Sequence, residues 1–212
     1  MKAWVERLLG RTPPVPLLAA RWVVVDCETG GLDAARDPLL SVAAVAVRGG
    51  CIALGESFSA VLRQDAPSDP ANILVHRIGG EAQRGGRPAA QALREFAEFV
   101  ADGLPVAFHA PFDEAALRRA MAGAGLQAPR PWLDLAGLAP ALNPEPGAAR
   151  RALDDWLVKY GIDCPERHEA LADAYATAQL LLVLLAQAER QGAGTVDALR
   201  RLERSGRWLG PG

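Results

Sequence analysis

The sequence predicts an α/β fold in which a mixed sheet is flanked by helices. Strand-like apolar segments come first, and helical periodicity then alternates with short apolar segments. The chain has 212 residues, about the size of one ordinary domain, and 50% of them are hydrophobic, enough for a sizeable core.

The first predicted strand, Trp22–Val25, is apolar throughout and contains three valines, which is typical of a strand buried on both faces. Asp26 and Glu28 follow it, and side chains two residues apart on a strand point to the same side. Two like charges this close repel each other unless a cation such as Mg²⁺ or Mn²⁺ neutralises them. The alternative is an ordinary polar turn made by Gly30 and Gly31.

The remaining elements follow in order along the chain. Two further strands are joined by a glycine turn, and the period then becomes helical. The predicted strands are 39–47, 51–62, 105–108 and 131–135, and the predicted helices run from 88 to before 103 and over 112–121, 153–160, 171–190 and 195–204.

The predicted organisation has three parts. An N-terminal arm at 1–20 begins with a short amphipathic helix, the main domain covers 21–190, and a C-terminal helix and tail cover 191–212.

Net charge, cysteine content and hydrophobicity indicate which partners and which cellular compartment suit the protein. The formal net charge is −2, without a long run of one sign, which argues against a strong non-specific grip on duplex nucleic acid. The three cysteines have no metal-type spacing, so we expect free thiols and a reduced, cytoplasmic compartment. No apolar run approaches the roughly 20 residues of a membrane span, and no membrane association is predicted.

Three later positions carry polar side chains of interest. Asp113 follows a predicted strand, where it can serve as a ligand or as a helix cap. His168 and Asp173 would lie about 140° apart on one helix, but His168 can approach Asp173 from a loop before the helix. A histidine there suits proton transfer, because imidazole titrates near neutral pH; the alternative is two exposed side chains. Asp134 ends a strand and is predicted to be a turn residue.

Three motifs occur in this order along the chain: Asp26-x-Glu28, Phe112-Asp113 and His168-x-x-x-x-Asp173. This ordered set resembles the DEDDh family of 3′–5′ exonucleases, whose best-known member is the proofreading epsilon subunit of bacterial DNA polymerase III. The resemblance covers roughly residues 21–190, with Leu74–Ile78 and Leu133–Leu135 similar to further family segments.

The resemblance implies a ribonuclease H-like fold and hydrolysis of phosphodiester bonds with two divalent cations, Mg²⁺ or Mn²⁺. The implied metal ligands are Asp26, Glu28, Asp113 and Asp173, with His168 as general base. The positions expected to bind substrate are Thr29, Gly30, Leu32, His76, Ile78, His109 and Phe112.

Some of the positions expected to bind substrate have an alternative role, and others differ from the family pattern. Leu32, Ile78 and Phe112 can pack on the terminal bases of the substrate or belong to the ordinary core. Gly30 stands where the family has a threonine, and we expect its backbone N–H to hold the terminal nucleotide instead. Arg77 and Phe108-His109 also depart from the family pattern.

The favoured function is a 3′–5′ exonuclease acting on single-stranded or frayed DNA ends. An exoribonuclease that trims RNA 3′ ends is the alternative, and an inactive nucleic-acid-binding module of the same fold is disfavoured by the complete ligand set. Association with a polymerase is left open beside a stand-alone nuclease, since the C-terminal tail shows no recognisable polymerase-binding peptide.

Overall fold

A mixed sheet forms the centre of the molecule, as the sequence predicts. The computed structural model describes residues 14–207. Within these residues the strands are β1 (Trp22–Thr29), β2 (Leu39–Arg48), β3 (Cys51–Val61), β4 (Leu104–Ala107) and β5 (Leu133–Asp134). Their order in the sheet is β3-β2-β1-β4-β5. β2 is antiparallel to β1 and β3, whereas β1, β4 and β5 run parallel.

Helices follow or separate the strands along the chain. The helices of the described residues are α1 (Pro70–His76), α2 (Gly80–Gly85), α3 (Ala89–Val100), α4 (Ala110–Gly123), α5 (Leu135–Leu142), α6 (Leu153–Tyr160), α7 (Ala170–Arg190) and α8 (Val196–Arg207), with short 3₁₀ turns at Leu17–Ala19 and Ala148–Arg150.

Alternate residues of β1 belong to two separate hydrophobic cores, because successive side chains of a strand point to opposite faces. Trp22 and Val24 pack with residues of α5, α6, α7 and α8 on one face. Val23, Val25 and Cys27 pack with residues of α3 and α4 on the other. This arrangement confirms the prediction that the first strand is buried on both faces.

The parallel pairing of β1 and β4 determines where polar side chains gather. Because the two strands run in the same direction, their carboxyl ends meet at one edge of the sheet. α4 begins three residues after β4 ends, and α7 packs across β1 and β2. The end of β1 and the first turns of α4 and α7 therefore converge.

α5 was not predicted from the sequence. The predicted strand at 131–135 shrinks to Leu133–Asp134, and α5 follows it directly. Asp134 begins the helix, since its Oδ1 accepts hydrogen bonds from the backbone N–H groups of Ala136 (3.0 Å) and Ala110 (3.2 Å). Asp134 is therefore a helix cap at the end of β5 rather than the predicted turn residue. Pro140 lies inside α5, and proline normally argues against a helix.

Both ends of the described chain pack on the core. Leu17 is fully buried, its N–H donates to the carbonyl of Gly194 (3.2 Å), and its own carbonyl accepts from the Trp22 indole (3.1 Å). α8 packs against α5. The amphipathic helix predicted within residues 1–13, and the tail at 208–212, lie outside the described residues.

α7 is long and apolar enough to cross a membrane by length and composition alone. Eleven of its 21 residues are buried, and it contacts β1, β2, α5 and α6. These contacts are those of a helix in a protein core.

Candidate active site

Three carboxylates form a compact cluster at the carboxyl end of β1. One oxygen from each of Asp26, Glu28 and Asp173 lies within 4.8 Å of the other two. Asp26 and Glu28 are half-buried on the same side of β1, as their spacing predicts, and Cys27 between them is buried on the opposite side. Asp173 is buried in the first turn of α7.

Asp173 is held by the loop that leads into α7. Its Oδ2 accepts a hydrogen bond from the backbone N–H of His168 (3.0 Å). Its Oδ1 contacts the guanidinium of Arg167, and the thiol of Cys164 lies 3.4 Å away. Glu169 caps the helix by accepting from the N–H of Ala172 (2.7 Å). The carboxylate of Asp173 is thus fixed before any ligand binds.

The charged forms of the carboxylates in this cluster are disfavoured by burial and by one another. Burial, and then the negative charges of the neighbouring carboxylates, raise the pKa of Asp26 well above its ordinary value. Burial, with the charges of Asp173 and Asp113, raises the pKa of Glu28 to about 8. Both shifts are opposed by the positive charge of Arg167. A further cation at the cluster would relieve the same repulsion.

Asp113 stands beside this cluster rather than within it. It is buried, 5% exposed, in the first turn of α4. Its carboxylate accepts a hydrogen bond from the thiol of Cys27, on the opposite face of β1 from Asp26. Burial raises the pKa of Asp113 to about 7, against the opposing effect of that hydrogen bond. The residue is close enough to Asp26 to affect its ionisation.

His168 lies in the loop before α7, where the sequence argument places it. Its backbone has a positive φ of 64°, and its side chain is exposed. The bond from its N–H to Asp173 ties the residue to the cluster while leaving the imidazole in solvent. A ring in this position can accept a proton from solvent-accessible water.

The end of β1 and the turn after it carry three of the residues predicted to bind substrate. Leu32 is 95% exposed, which excludes an ordinary core role. The Thr29 hydroxyl donates to the carbonyl of Gly31 (2.6 Å), so it shapes the turn. The Gly30 N–H donates to the carbonyl of Pro38 (2.9 Å). This corrects the expectation that the Gly30 N–H is free to hold a nucleotide.

The other predicted substrate positions differ in exposure. His76 is buried at the end of α1, where Nδ1 accepts from the N–H of Ile78 (3.0 Å) and Nε2 pairs with the Ser68 hydroxyl (3.1 Å). Both ring nitrogens are therefore engaged within the protein. Ile78 and Phe112 are half-buried, and His109 is exposed at the start of α4 with a φ of 63°.

Several contacts of the site carry no recognisable sequence signal. Arg167 and Cys164 both reach Asp173 from the loop before α7, and Cys27 reaches Asp113. Asn72 of α1 donates to the Gly30 carbonyl and so joins α1 to the turn after β1. None of these side chains belongs to a periodic pattern or to a motif with fixed spacing.

The cluster has the chemistry of a site for hard divalent cations. Its donors are carboxylate oxygens, which suit Mg²⁺ and Mn²⁺, and they are clustered tightly enough to share an ion. Burial, and then the charges of the neighbouring carboxylates, raise the pKa values of Asp26 and Glu28, and a bound cation would favour their charged forms. The residues present therefore fit a metal site.

One protein-family model covers most of the chain. The model, described as Exonuclease (RNase_T), matches residues 23–181. A DNA polymerase III subunit epsilon-like protein of Rhodobacter capsulatus is 35% identical over 200 residues, which is 92% of this chain and 28% of that protein. The PolC-type DNA polymerase III of Bacillus subtilis is 31% identical over 180 residues, or 84% of this chain and 12% of that protein. The chain thus spans less than a third of either relative.

Solved structures share the fold. Escherichia coli exonuclease I in complex with a dT13 oligonucleotide superposes with a TM-score of 0.70 and 18% sequence identity, covering 81% of this chain and 42% of that one. Exonuclease I of Methylocaldum szegediense gives a TM-score of 0.65 and 21% identity, covering 82% and 41%. These similarities confirm the ribonuclease H-like sheet flanked by helices.

Proposed function

Because the chain belongs to the exonuclease family, we propose that it removes nucleotides from the 3′ end of single-stranded or frayed DNA by hydrolysing the terminal phosphodiester bond. The observation that carries the proposal is the cluster of Asp26, Glu28 and Asp173, whose oxygens lie within 4.8 Å of one another on the exonuclease fold. Such a cluster is unfavourable unless it binds cations, and a pair of bound cations can catalyse phosphodiester hydrolysis.

Four carboxylates hold the cations in this proposal. Asp26, Glu28 and Asp173 supply the compact set, and Asp113 supplies a fourth ligand from the first turn of α4. When bound, two divalent cations stabilise negative charge on the attacking and leaving oxygens. Mg²⁺ and Mn²⁺ are the proposed ions because all the donors are hard oxygens.

His168 is the proposed general base. Its exposed ring accepts the proton of the attacking water, while its backbone N–H keeps it beside Asp173. A positioned base contributes roughly 10²- to 10⁴-fold to a rate. The backbone attachment to Asp173 supports this role, since a base has to lie close to its water.

The substrate end meets the exposed apolar surface next to the cluster. Leu32 and Leu74 are 95% and 82% exposed, and both lie on segments that the Asn72–Gly30 hydrogen bond joins. Apolar contacts of this kind bind an unpaired base without selecting its identity. Phe112, Ile78 and His109 are proposed as further contacts.

We further propose DNA rather than RNA as substrate, and a cytoplasmic setting. The names of both curated relatives identify them as DNA polymerase III proteins. All three cysteines are free thiols, consistent with a reducing compartment. Association with a polymerase and independent action are both compatible with this proposal.

Two ligand substitutions test the proposal. Asp26→Asn and Asp173→Asn each remove one carboxylate charge with little change in shape, and each should reduce activity on 5′-labelled single-stranded DNA to less than about 1% of wild type. Loss of a residue that only supports a metal ligand already costs about 10- to 100-fold, so loss of a ligand should cost more. Far-ultraviolet circular dichroism checks that the variants are folded.

The control is Asp102→Asn, an exposed aspartate in the turn between α3 and β4. It should leave activity unchanged. Single-stranded RNA of equal length and sequence serves as a second substrate, and faster cleavage of RNA would replace DNA by RNA in the proposal. Near wild-type turnover by either ligand variant would show that the cluster is not catalytic.

A further inference from the structure

Arg167 places a positive charge inside the carboxylate cluster. Its Nη1 contacts Asp173 Oδ1, and its Nε lies 2.5 Å from Asp154 Oδ1 in the first turn of α6. The side chain of Asp173 is 6% exposed, whereas that of Asp154 is 62% exposed. The guanidinium thus bridges a buried carboxylate of the site and an exposed one at its rim.

Both oxygens of Asp173 are already engaged within the protein. Oδ2 accepts from the His168 N–H, and Oδ1 contacts Arg167, with the Cys164 thiol at 3.4 Å. Each oxygen keeps a further lone pair, so a cation can bind beside these partners, but a cation at Oδ1 meets the guanidinium charge at close range. The guanidinium is the partner that a cation also repels, since both are positively charged.

We propose that Arg167 competes with the divalent cation for Asp173 and thereby sets the affinity of the site for metal. The inference rests on the proposed function, because it requires Asp173 to be a metal ligand. With metal bound, the guanidinium keeps Asp154 as its partner and stays at the rim of the site. Arg167 is in this sense a positioning residue that acts through Asp173.

An ordinary structural ion pair between the loop and α6 is the competing explanation. In that case, removing Arg167 would loosen the loop, misplace Asp173 and weaken metal binding. Competition predicts that removing Arg167 strengthens metal binding, since the cation then no longer competes with a positive charge for Asp173. The direction of the change in affinity therefore separates the two explanations.

The experiment measures Mn²⁺ binding to the full chain without substrate, using the electron paramagnetic resonance signal of free Mn²⁺. Arg167→Ala should lower the Kd by about three- to tenfold, the change expected when one half-buried ion pair no longer competes. Arg167→Lys keeps the charge and should stay near the wild-type value. Arg118→Ala removes an exposed charge from α4, where Arg118 pairs only loosely with Glu114 at 4.0 Å, and serves as the matched control.

Asp154→Asn tests the same competition by removing the second partner of the Arg167 guanidinium. Because Asp154 is exposed, we expect this variant to fold. Without Asp154, the displaced guanidinium loses its remaining partner, and the Kd for Mn²⁺ should rise by about threefold. In the Arg167→Ala background the same substitution should have almost no effect. An equal effect in both backgrounds would overturn the proposed role of Asp154 as the partner of the displaced guanidinium.

Different results of the Mn²⁺ titration would contradict the metal site and the competition by Arg167. A wild-type chain that binds no Mn²⁺ overturns the metal site itself. Normal wild-type binding with an unchanged or higher Kd in Arg167→Ala overturns the competition alone. If Arg167→Ala does not fold, a Kd for Asp154→Asn equal to or below that of wild type also overturns the competition.

Discussion

At the scale of single residues, the site depends on carboxylates that repel one another. Glu28 shows this most clearly, because burial and the charges of Asp173 and Asp113 raise its pKa from 4.5 to about 8. Metal-free folded protein therefore keeps a proton on Glu28 at pH values where the unfolded chain has released it. The free energy of unfolding must then fall as pH rises through that window.

Glu28→Gln should abolish this part of the pH dependence. In EDTA, the variant should unfold at a higher temperature than wild type at pH 8, by about 2–4 °C for each kcal/mol of relieved repulsion. At pH 4.5 the difference should be much smaller, because Glu28 is protonated in the folded wild type. Glu98→Gln, at an exposed position of α3, is the control. Parallel curves for wild type and Glu28→Gln across this range would contradict the prediction.

His168→Ala should separate catalysis from metal binding. No metal ligand is lost, so the Kd for Mn²⁺ should stay near wild type, while kcat falls by roughly 10²- to 10⁴-fold. Glu166→Ala, exposed in the same loop, is the control. A kcat within twofold of wild type at every pH would remove His168 from the mechanism.

At the scale of secondary-structure elements, the sequence predicted the strands and helices that have a recognisable hydrophobic pattern within their own residues. β1 and β2 were predicted from apolar runs, β3 from its place after a glycine turn, and α3 and α7 from helical periodicity. α5 was not, because Gly137 and Pro140 interrupt a stretch that becomes helical only when Asp134 caps it and α8 packs on it.

The same distinction applies to the candidate site. Asp26 and Glu28 were predicted because their spacing on one strand determines their direction. The contact of Arg167 with Asp173 depends on a loop whose path includes the positive φ of His168, and no local pattern predicts such a path. The hydrogen bond of the Gly30 N–H to Pro38 likewise depends on the return of the chain into β2.

The packing of α8 on α5 gives a prediction at this scale. A Cβ atom at Gly206 would lie 2.0 Å from the carbonyl oxygen of Gly137, so the two helix backbones are in close contact. Gly206→Ala should force them apart and lower the free energy of unfolding by about 1–3 kcal/mol, as overpacking does. Ser205→Ala, at the exposed neighbouring position, is the control in a urea titration. Equal midpoints for the two variants would show that α8 can shift freely.

At the scale of the whole molecule, the sheet topology brings distant segments to one edge. β1 and β4 run parallel, so the residues after them meet, and α7 crosses β1 to add Asp173. Leu32 lies exposed in the turn after β1, and the Asn72–Gly30 hydrogen bond joins this turn to α1, which carries the exposed Leu74. In the proposed function, this surface contacts the unpaired end of the substrate.

Directional digestion tests the central claim most directly. A single-stranded DNA labelled at its 5′ end is incubated with Mg²⁺, once with a free 3′ hydroxyl and once with a 3′ terminus blocked by a phosphorothioate linkage and an inverted nucleotide. We expect a ladder of labelled products that shorten one nucleotide at a time from the free end. We expect no products with the blocked end, with EDTA, or with Asp26→Asn. Equal cleavage of blocked and free substrates, or release of the label as the first product, would contradict a 3′–5′ exonuclease.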